Sequence, residues 1–145
     1  MLFTTRSRYG LRLMLFLGSR YGSGLCEVSE LSRAEDISVS YIHLLLNTLR
    51  TSGLVRSVRG RSGGYELNRP PSEISLFEVI SVLDGHDFIS DCVRSPEFCS
   101  RSDTCPTRFL WAHMSAGIQS FLENTNLKQL LNKELLCDSV FDFKL

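Results

Sequence analysis

Apolar positions near the start of the chain predict a first helix. It is N-capped near Thr4 or Thr5 and runs to about Tyr21, where Gly22 and Gly24 stop it. The middle of this segment, Leu11-Arg-Leu-Met-Leu-Phe-Leu17, is apolar nearly all round, the pattern of a helix enclosed by its neighbours. A second helix is expected over Val28 to Asp36. Ser38 is then placed to cap a third, from Val39 to about Thr51, which Gly53 ends. On the third helix Val39, Ile42, Leu46 and Leu49 recur at spacings of three and four, predicting one buried stripe. Ser40, His43, Leu44 and Asn47 take the outward face. Two helices joined by a short turn, the second with a polar outer face, match a helix-turn-helix whose recognition helix enters the DNA major groove.

The period then changes. Leu54–Val58 and Tyr65–Leu67 look like two short strands flanking Arg59-Gly-Arg-Ser-Gly-Gly64, a hairpin with an Arg-bearing tip. Its glycines permit the positive φ angles of a tight turn, and Arg59 and Arg61 are placed to enter a narrow, electronegative minor groove. The expected fold is mainly α with a small β-hairpin wing, a winged helix-turn-helix.

Pro70 and Pro71 break the chain, and the capping box Ser75-Leu-Phe-Glu78 opens a fourth helix through about Asp84, stopped by Gly85. From His86 to Pro106 neither helical nor strand period is present, which predicts a loop. Beyond it, Leu110, Met114, Ile118, Phe121 and Thr125 form a stripe widened by Trp111 and Leu122. That is more apolar surface than one small core needs. It predicts a long C-terminal dimerisation helix, the alternative being a helix that folds back on its own domain. The expected organisation is a winged helix-turn-helix DNA-binding domain over residues 1–85, a cysteine-bearing sensory loop over 86–106, and a dimerisation helix with a C-terminal segment over 107–145.

Charge narrows the partner. The net charge of +0 hides ten Arg against five acids in residues 1–70 and six Lys or Arg against eleven acids in residues 71–145, that is +5 and −5. All ten basic residues of the first part are Arg, whose planar guanidinium binds phosphate or a guanine edge bidentately, so double-stranded DNA is the expected partner. No nucleophile elbow, phosphate loop, His-Glu-x-x-His or dinucleotide fingerprint occurs, and no enzyme is expected. The run Leu13–Leu17 is too short for a signal core or a membrane span, and five cysteines leave an odd thiol, so no membrane association and a cytoplasmic location are expected.

Cys92, Cys99 and Cys105 fall within fourteen residues, separated by Ser, Arg, Asp, Glu and Pro rather than by core residues. Thiolates in such a loop can converge on a metal without dismantling a core. Iron–sulfur clusters and zinc both favour them, although no C-x2-C pair of the kind common in structural zinc sites is present. A cluster-free thiol switch, in which oxidation joins two of the cysteines beside Arg94 and Arg101, is the alternative. A small electron carrier would use the same cysteines but would leave the Arg-tipped wing without a purpose. Cys26 and Cys137 stand apart and are expected to pack as small hydrophobes, and His86 and His113 as ordinary hydrogen-bonding residues.

With Ser38-Val-Ser-Tyr41, Val58-Arg-Gly-Arg-Ser-Gly-Gly-Tyr65 and the three loop cysteines in order, the chain resembles the family of bacterial iron–sulfur cluster regulators (IscR) and nitric-oxide-sensing repressors (NsrR). The resemblance extends from Thr4-Thr-Arg-Ser-Arg-Tyr9 to Leu127-Lys-Gln-Leu-Leu131. It implies a homodimeric winged-helix transcription regulator in which Ser38, Ser40, Tyr41 and His43 contact operator DNA from the recognition helix and Arg59 from the wing. The outward face and wing tip add Asn47 and Arg61 as candidates. It also implies that Cys92, Cys99 and Cys105 carry a 2Fe-2S or 4Fe-4S cluster whose state controls DNA affinity. On this view cluster assembly orders residues 86–106 between the fourth helix and the dimer helix.

Three positions depart from the pattern. Six residues rather than five separate Cys92 from Cys99, and Arg108 stands where cluster regulators have a histidine three positions after the last cysteine. Arg8 stands where the nitric-oxide sensors have a carboxylate near the first helix. A fourth ligand would have to come from Asp87, Asp91, Glu97, Asp103, His86 or a non-protein molecule.

Overall fold

In the computed structural model, which describes residues 3–60, 62–85 and 90–133, the hydroxyl of Thr4 accepts the Arg6 N–H at 3.1 Å and opens α1, Thr5–Ser19. This helix is the spine of the core, burying Gly10, Leu13, Met14, Leu17 and Gly18. α2 (Val28–Glu35) ends at Asp36, whose φ of 53° is the left-handed turn that swings the chain into α3 (Val39–Thr51). These two helices pack together as the helix-turn-helix, and α3 buries Ile42, Leu45, Leu46 and Leu49. The buried stripe therefore includes Leu45 and leaves out Val39, which is 47% exposed. As the first residue of α3, Val39 lies past the edge of the packed core. Ser38 occupies the N-cap, yet its hydroxyl faces that of Ser40 at 3.3 Å rather than capping the backbone.

The hairpin forms as expected. β1 (Val55–Val58) pairs antiparallel with β2 (Gly64–Leu67), Val55 opposite Leu67 and Val58 opposite Gly64. Cys26 adds a bridge to Tyr65, each donating its N–H to the other's carbonyl at 2.9 Å, so the stretch before α2 anchors the wing's base. The wing glycines serve two different needs. Gly60 has a φ of 124°, whereas Gly63 and Gly64 are required by close approach: a Cβ would lie 2.3 Å from the Val58 carbonyl oxygen and 2.6 Å from that of Cys26.

A 3-10 turn at Pro71–Glu73 leads to α4 (Leu76–Asp84), and the Ser75–Glu78 capping box forms with both of its bonds. α4 packs along α1. The segment expected to be a plain loop contains a one-turn helix, α5 (Asp91–Arg94), and a 3-10 turn at Pro96–Phe98. Elements one turn long have no second turn in which to show a period, and so leave no pattern in sequence. α5 packs on α6 (Pro106–Glu123), whose far end docks on α4 through buried Leu122 and half-buried Ile118.

The last described helix, α7 (Leu127–Leu131), turns back onto α1 and the Pro71–Glu73 turn. It is locked by two backbone bonds, Leu76 N–H to Thr125 O at 2.8 Å and Leu127 N–H to Ile74 O at 3.0 Å. Thr125, expected on the stripe of the long helix, lies beyond that helix's end and is buried against the core. Phe109, Leu110, Met114 and Phe121 remain exposed on α6. Among the described residues no helix is long and apolar enough to cross a membrane.

Candidate nucleic-acid interface and cysteine loop

The outer face of α3 and the hairpin enclose a groove of about 580 Å³. Helical spacing puts Ser40, His43, Asn47 and Arg50 along one wall, and Ser57 and Arg59 come from the other. Arg50 Nη2 donates to Asn47 Oδ1 at 2.8 Å, tying the two side chains into one polar surface. The wing that carries Arg59 is braced by the Arg56–Glu66 cross-strand pair at 3.1 Å. On the opposite side of α3, Tyr41 meets Tyr9 edge to face at 6.1 Å, and Arg12 stacks on Tyr9 while pairing with Glu35 at 2.7 Å.

Of the candidate DNA contacts, the groove thus gathers Ser40, His43, Asn47 and Arg59. Ser38 sits at the helix start, the ring of Tyr41 is half-buried against α1, and Arg61 lies outside the described residues. Arg50 and Ser57 were not singled out by sequence. The available signals were Arg50 one turn after Asn47 and two turns after His43, and Ser57 two residues before Arg59 on the same strand face. The Arg excess of the first 70 residues divides accordingly. Arg12, Arg20, Arg56 and Arg69 pair with Glu35, Glu30, Glu66 and Glu78, while Arg50 and Arg59 line the groove.

In the cysteine loop, Cys92 and Cys99 line a cavity of about 380 Å³ together with Asp91, Arg94 and Ser95. The Cys92 sulfur lies 3.1 Å from Ser90 Oγ. Cys105 is the N-cap of α6, its sulfur 3.1 Å from Thr107 Oγ1. The Thr107 hydroxyl and the Arg108 backbone N–H pull the Cys105 thiol below its usual range, and the positive end of α6 acts in the same sense. Arg108, from the first turn of α6, donates through Nε to the Cys92 carbonyl at 3.1 Å and through Nη1 to the Ser102 carbonyl at 3.3 Å.

Three thiols are the right donors for a thiophilic centre. Their placement does not assemble one: among the described residues no three His, Cys, Asp or Glu side chains form a group that could hold a metal ion. Of the fourth-ligand candidates, Asp91 adjoins the Cys92–Cys99 cavity, Glu97 and Asp103 are exposed, and His86 and Asp87 lie outside the described residues. Cys26 is buried at the wing's base, and desolvation, reinforced by Glu30, raises its thiol pKa. His113 is exposed on α6, and Cys137 lies outside the described residues.

A winged helix whose groove is Arg-lined and whose trailing loop carries three cysteines matches one family over nearly its whole length. The Rrf2 family, described as an iron-dependent transcriptional regulator, matches residues 3–133. The chain belongs to the Rrf2 family. It is 36% identical over 137 residues to the HTH-type transcriptional regulator IscR of Sodalis glossinidius, covering 94% of this chain and 82% of that one. Among solved structures it superposes on the oxidised form of Staphylococcus aureus CymR with a TM-score of 0.74 and 34% identity, over 90% of this chain and 96% of that one. T. potens IscR matches with a TM-score of 0.75 and 26% identity, over 95% and 91%. The chain is therefore an IscR-like transcriptional regulator of the DNA-binding kind, and its mainly helical architecture with a hairpin wing is that of the Rrf2 family.

Proposed function

We propose that this Rrf2 protein is a cytoplasmic homodimer that binds duplex operator DNA through the groove between α3 and the wing, under the control of residues 86–106. The observation that carries the DNA contact is the convergence of His43, Asn47, Arg50 and Arg59 on one open groove, the side-chain types that read base edges and phosphates. Residues 1–85 would form the DNA-binding unit and 107–145 the dimerising one. Supporting the latter are Leu110, Met114 and Phe121, exposed on α6. The loop is connected to the winged helix through α6, because α5 packs on that helix and the far end of α6 docks on α4.

The occupant best supported by three thiols and by the family's iron dependence is a 2Fe-2S or 4Fe-4S cluster, held by Cys92, Cys99 and Cys105. Such a group supplies a centre sensitive to redox state and to nitric oxide. A cluster-free thiol switch is the second reading, favoured by the lowered pKa of Cys105, by the shared cavity of Cys92 and Cys99, and by the likeness to a regulator solved in an oxidised form. In that case hydrogen peroxide takes two electrons and two protons from two thiols and leaves as two waters.

Anaerobic purification with iron and sulfide assays separates the two. The native chain is expected to be coloured and to hold iron, and Cys92→Ala, Cys99→Ala and Cys105→Ala to lose both. A colourless, iron-free native protein would leave the thiol switch standing. In a gel-shift titration at fixed salt, Arg59→Ala is expected to cost about 1–3 kcal/mol of operator affinity, and unchanged binding would remove the wing from the interface.

A further inference from the structure

Among the polar side chains on the α3 wall of the groove stands Leu44, which is 53% exposed. Ser40 lies four residues before it and Asn47 three after, so helical spacing puts all three on one face. That face is turned away from Ile42, Leu45, Leu46 and Leu49, the side chains with which α3 joins the core. Ser40, His43, Asn47 and Arg50 can each make a hydrogen bond at this wall, and Leu44 cannot. Across the groove Val58, at the end of β1, is exposed as well.

A single leucine in water on a protein surface is ordinary. Two exposed apolar side chains on facing walls of a groove that also holds Arg50 and Arg59 describe an occupant with apolar as well as anionic groups. Duplex DNA supplies both. In its major groove every base pair shows hydrogen-bonding atoms, and only thymine adds an apolar group to the base edge, its 5-methyl.

We infer that Leu44 is a specificity-determining residue that packs against the 5-methyl group of a thymine in each operator half-site, while His43, Asn47 and Arg50 carry the hydrogen bonds around it. The inference rests on the proposed docking of α3 in the major groove. It adds the kind of base that this helix selects. Because the contact is apolar, it depends on the methyl group and is indifferent to the hydrogen-bonding pattern of the base, which uracil shares with thymine.

The test starts from duplexes that the full-length native protein selects from a random-sequence library. A selection that yields no preferred sequence overturns the docking of α3 and this inference with it. With a selected operator in hand, thymines are replaced one at a time by deoxyuridine, which removes only the methyl, and affinity is read by gel shift at fixed salt. In each half-site one replacement is expected to weaken native binding about fourfold, the worth of one buried methyl-sized group. Leu44→Ala should bind the thymine duplex weaker by about the same factor and be insensitive to that replacement, with an unchanged salt slope because no phosphate contact is touched. Leu44→Gln, which exchanges the apolar end for an amide, should select adenine in place of thymine at that position. The side chain is exposed, so both variants should keep the native circular dichroism spectrum and thermal midpoint. Native binding that ignores every deoxyuridine overturns the inference while leaving the docking of α3 in place. So does a deoxyuridine penalty that persists in Leu44→Ala, or a Leu44→Gln variant that still selects thymine.

Discussion

Asp84, at the end of α4, accepts hydrogen bonds from both the backbone N–H of Thr4, at 2.9 Å, and its hydroxyl, placing a carboxylate at the positive end of α1. Burial pushes its pKa up, but the bonds from Thr4 and Ser7 and the nearby Arg6 outweigh that, and the group is held below the usual carboxylate range. A lowered native pKa means stability that is fully present above the unfolded value of about 3.9 and is lost as pH falls through the native one. Asp84→Ala is expected to cost about 1 kcal/mol at pH 7 in urea unfolding, a modest figure because the site is partly solvated, with the difference shrinking below about pH 4. A cost that stays constant down to pH 2 would show that packing rather than the charge is responsible. The pairing is invisible in sequence because its partners lie eighty positions apart. Similarly, sequence marked Arg108 only as the replacement of an expected histidine, and its bond to Cys92 had to be seen in space.

Element boundaries were legible wherever local chemistry sets them. α3 begins and ends at Val39 and Thr51 as its apolar period and Gly53 imply, and the Ser75–Glu78 capping box opens α4. Inter-element fit was not legible. Gly10 sits inside α1, where glycine weakens a helix, because α4 crosses there so closely that a Cβ would lie 2.2 Å from Leu83 Cδ1. Gly10→Ala gains about 1 kcal/mol in helix propensity and loses about 1–3 in overpacking, so a net loss is expected in the urea midpoint. Leu83→Ala should cost less in that background than it does alone, a favourable coupling that a double-mutant cycle measures directly. Strict additivity would mean that the two residues do not meet.

At the scale of the whole molecule, α6 carries an exposed apolar face. Its far end is committed to its own domain through Leu122, while Phe109, Leu110 and Met114 stay exposed. If the helix dimerises, Leu110→Glu combined with Met114→Glu should leave monomer stability within about 0.5 kcal/mol, as exposed substitutions do, yet give a monomer in sedimentation velocity and weaken operator binding. A variant that stays dimeric would place the interface elsewhere. Sequence by itself determined the order of the longer helices, α1 to α4 and α6, the Arg-tipped hairpin and the cysteine triplet, because periodicity, caps and turn residues act over a few neighbouring positions. Only the tertiary structure decided that Arg50 and Ser57 join His43 and Arg59 in one groove, that Cys92 and Cys99 share a cavity, and that Arg108 bridges the loop. Those facts depend on distances through space, which the packing of α3 against the hairpin and of α5 on α6 sets and no local pattern encodes.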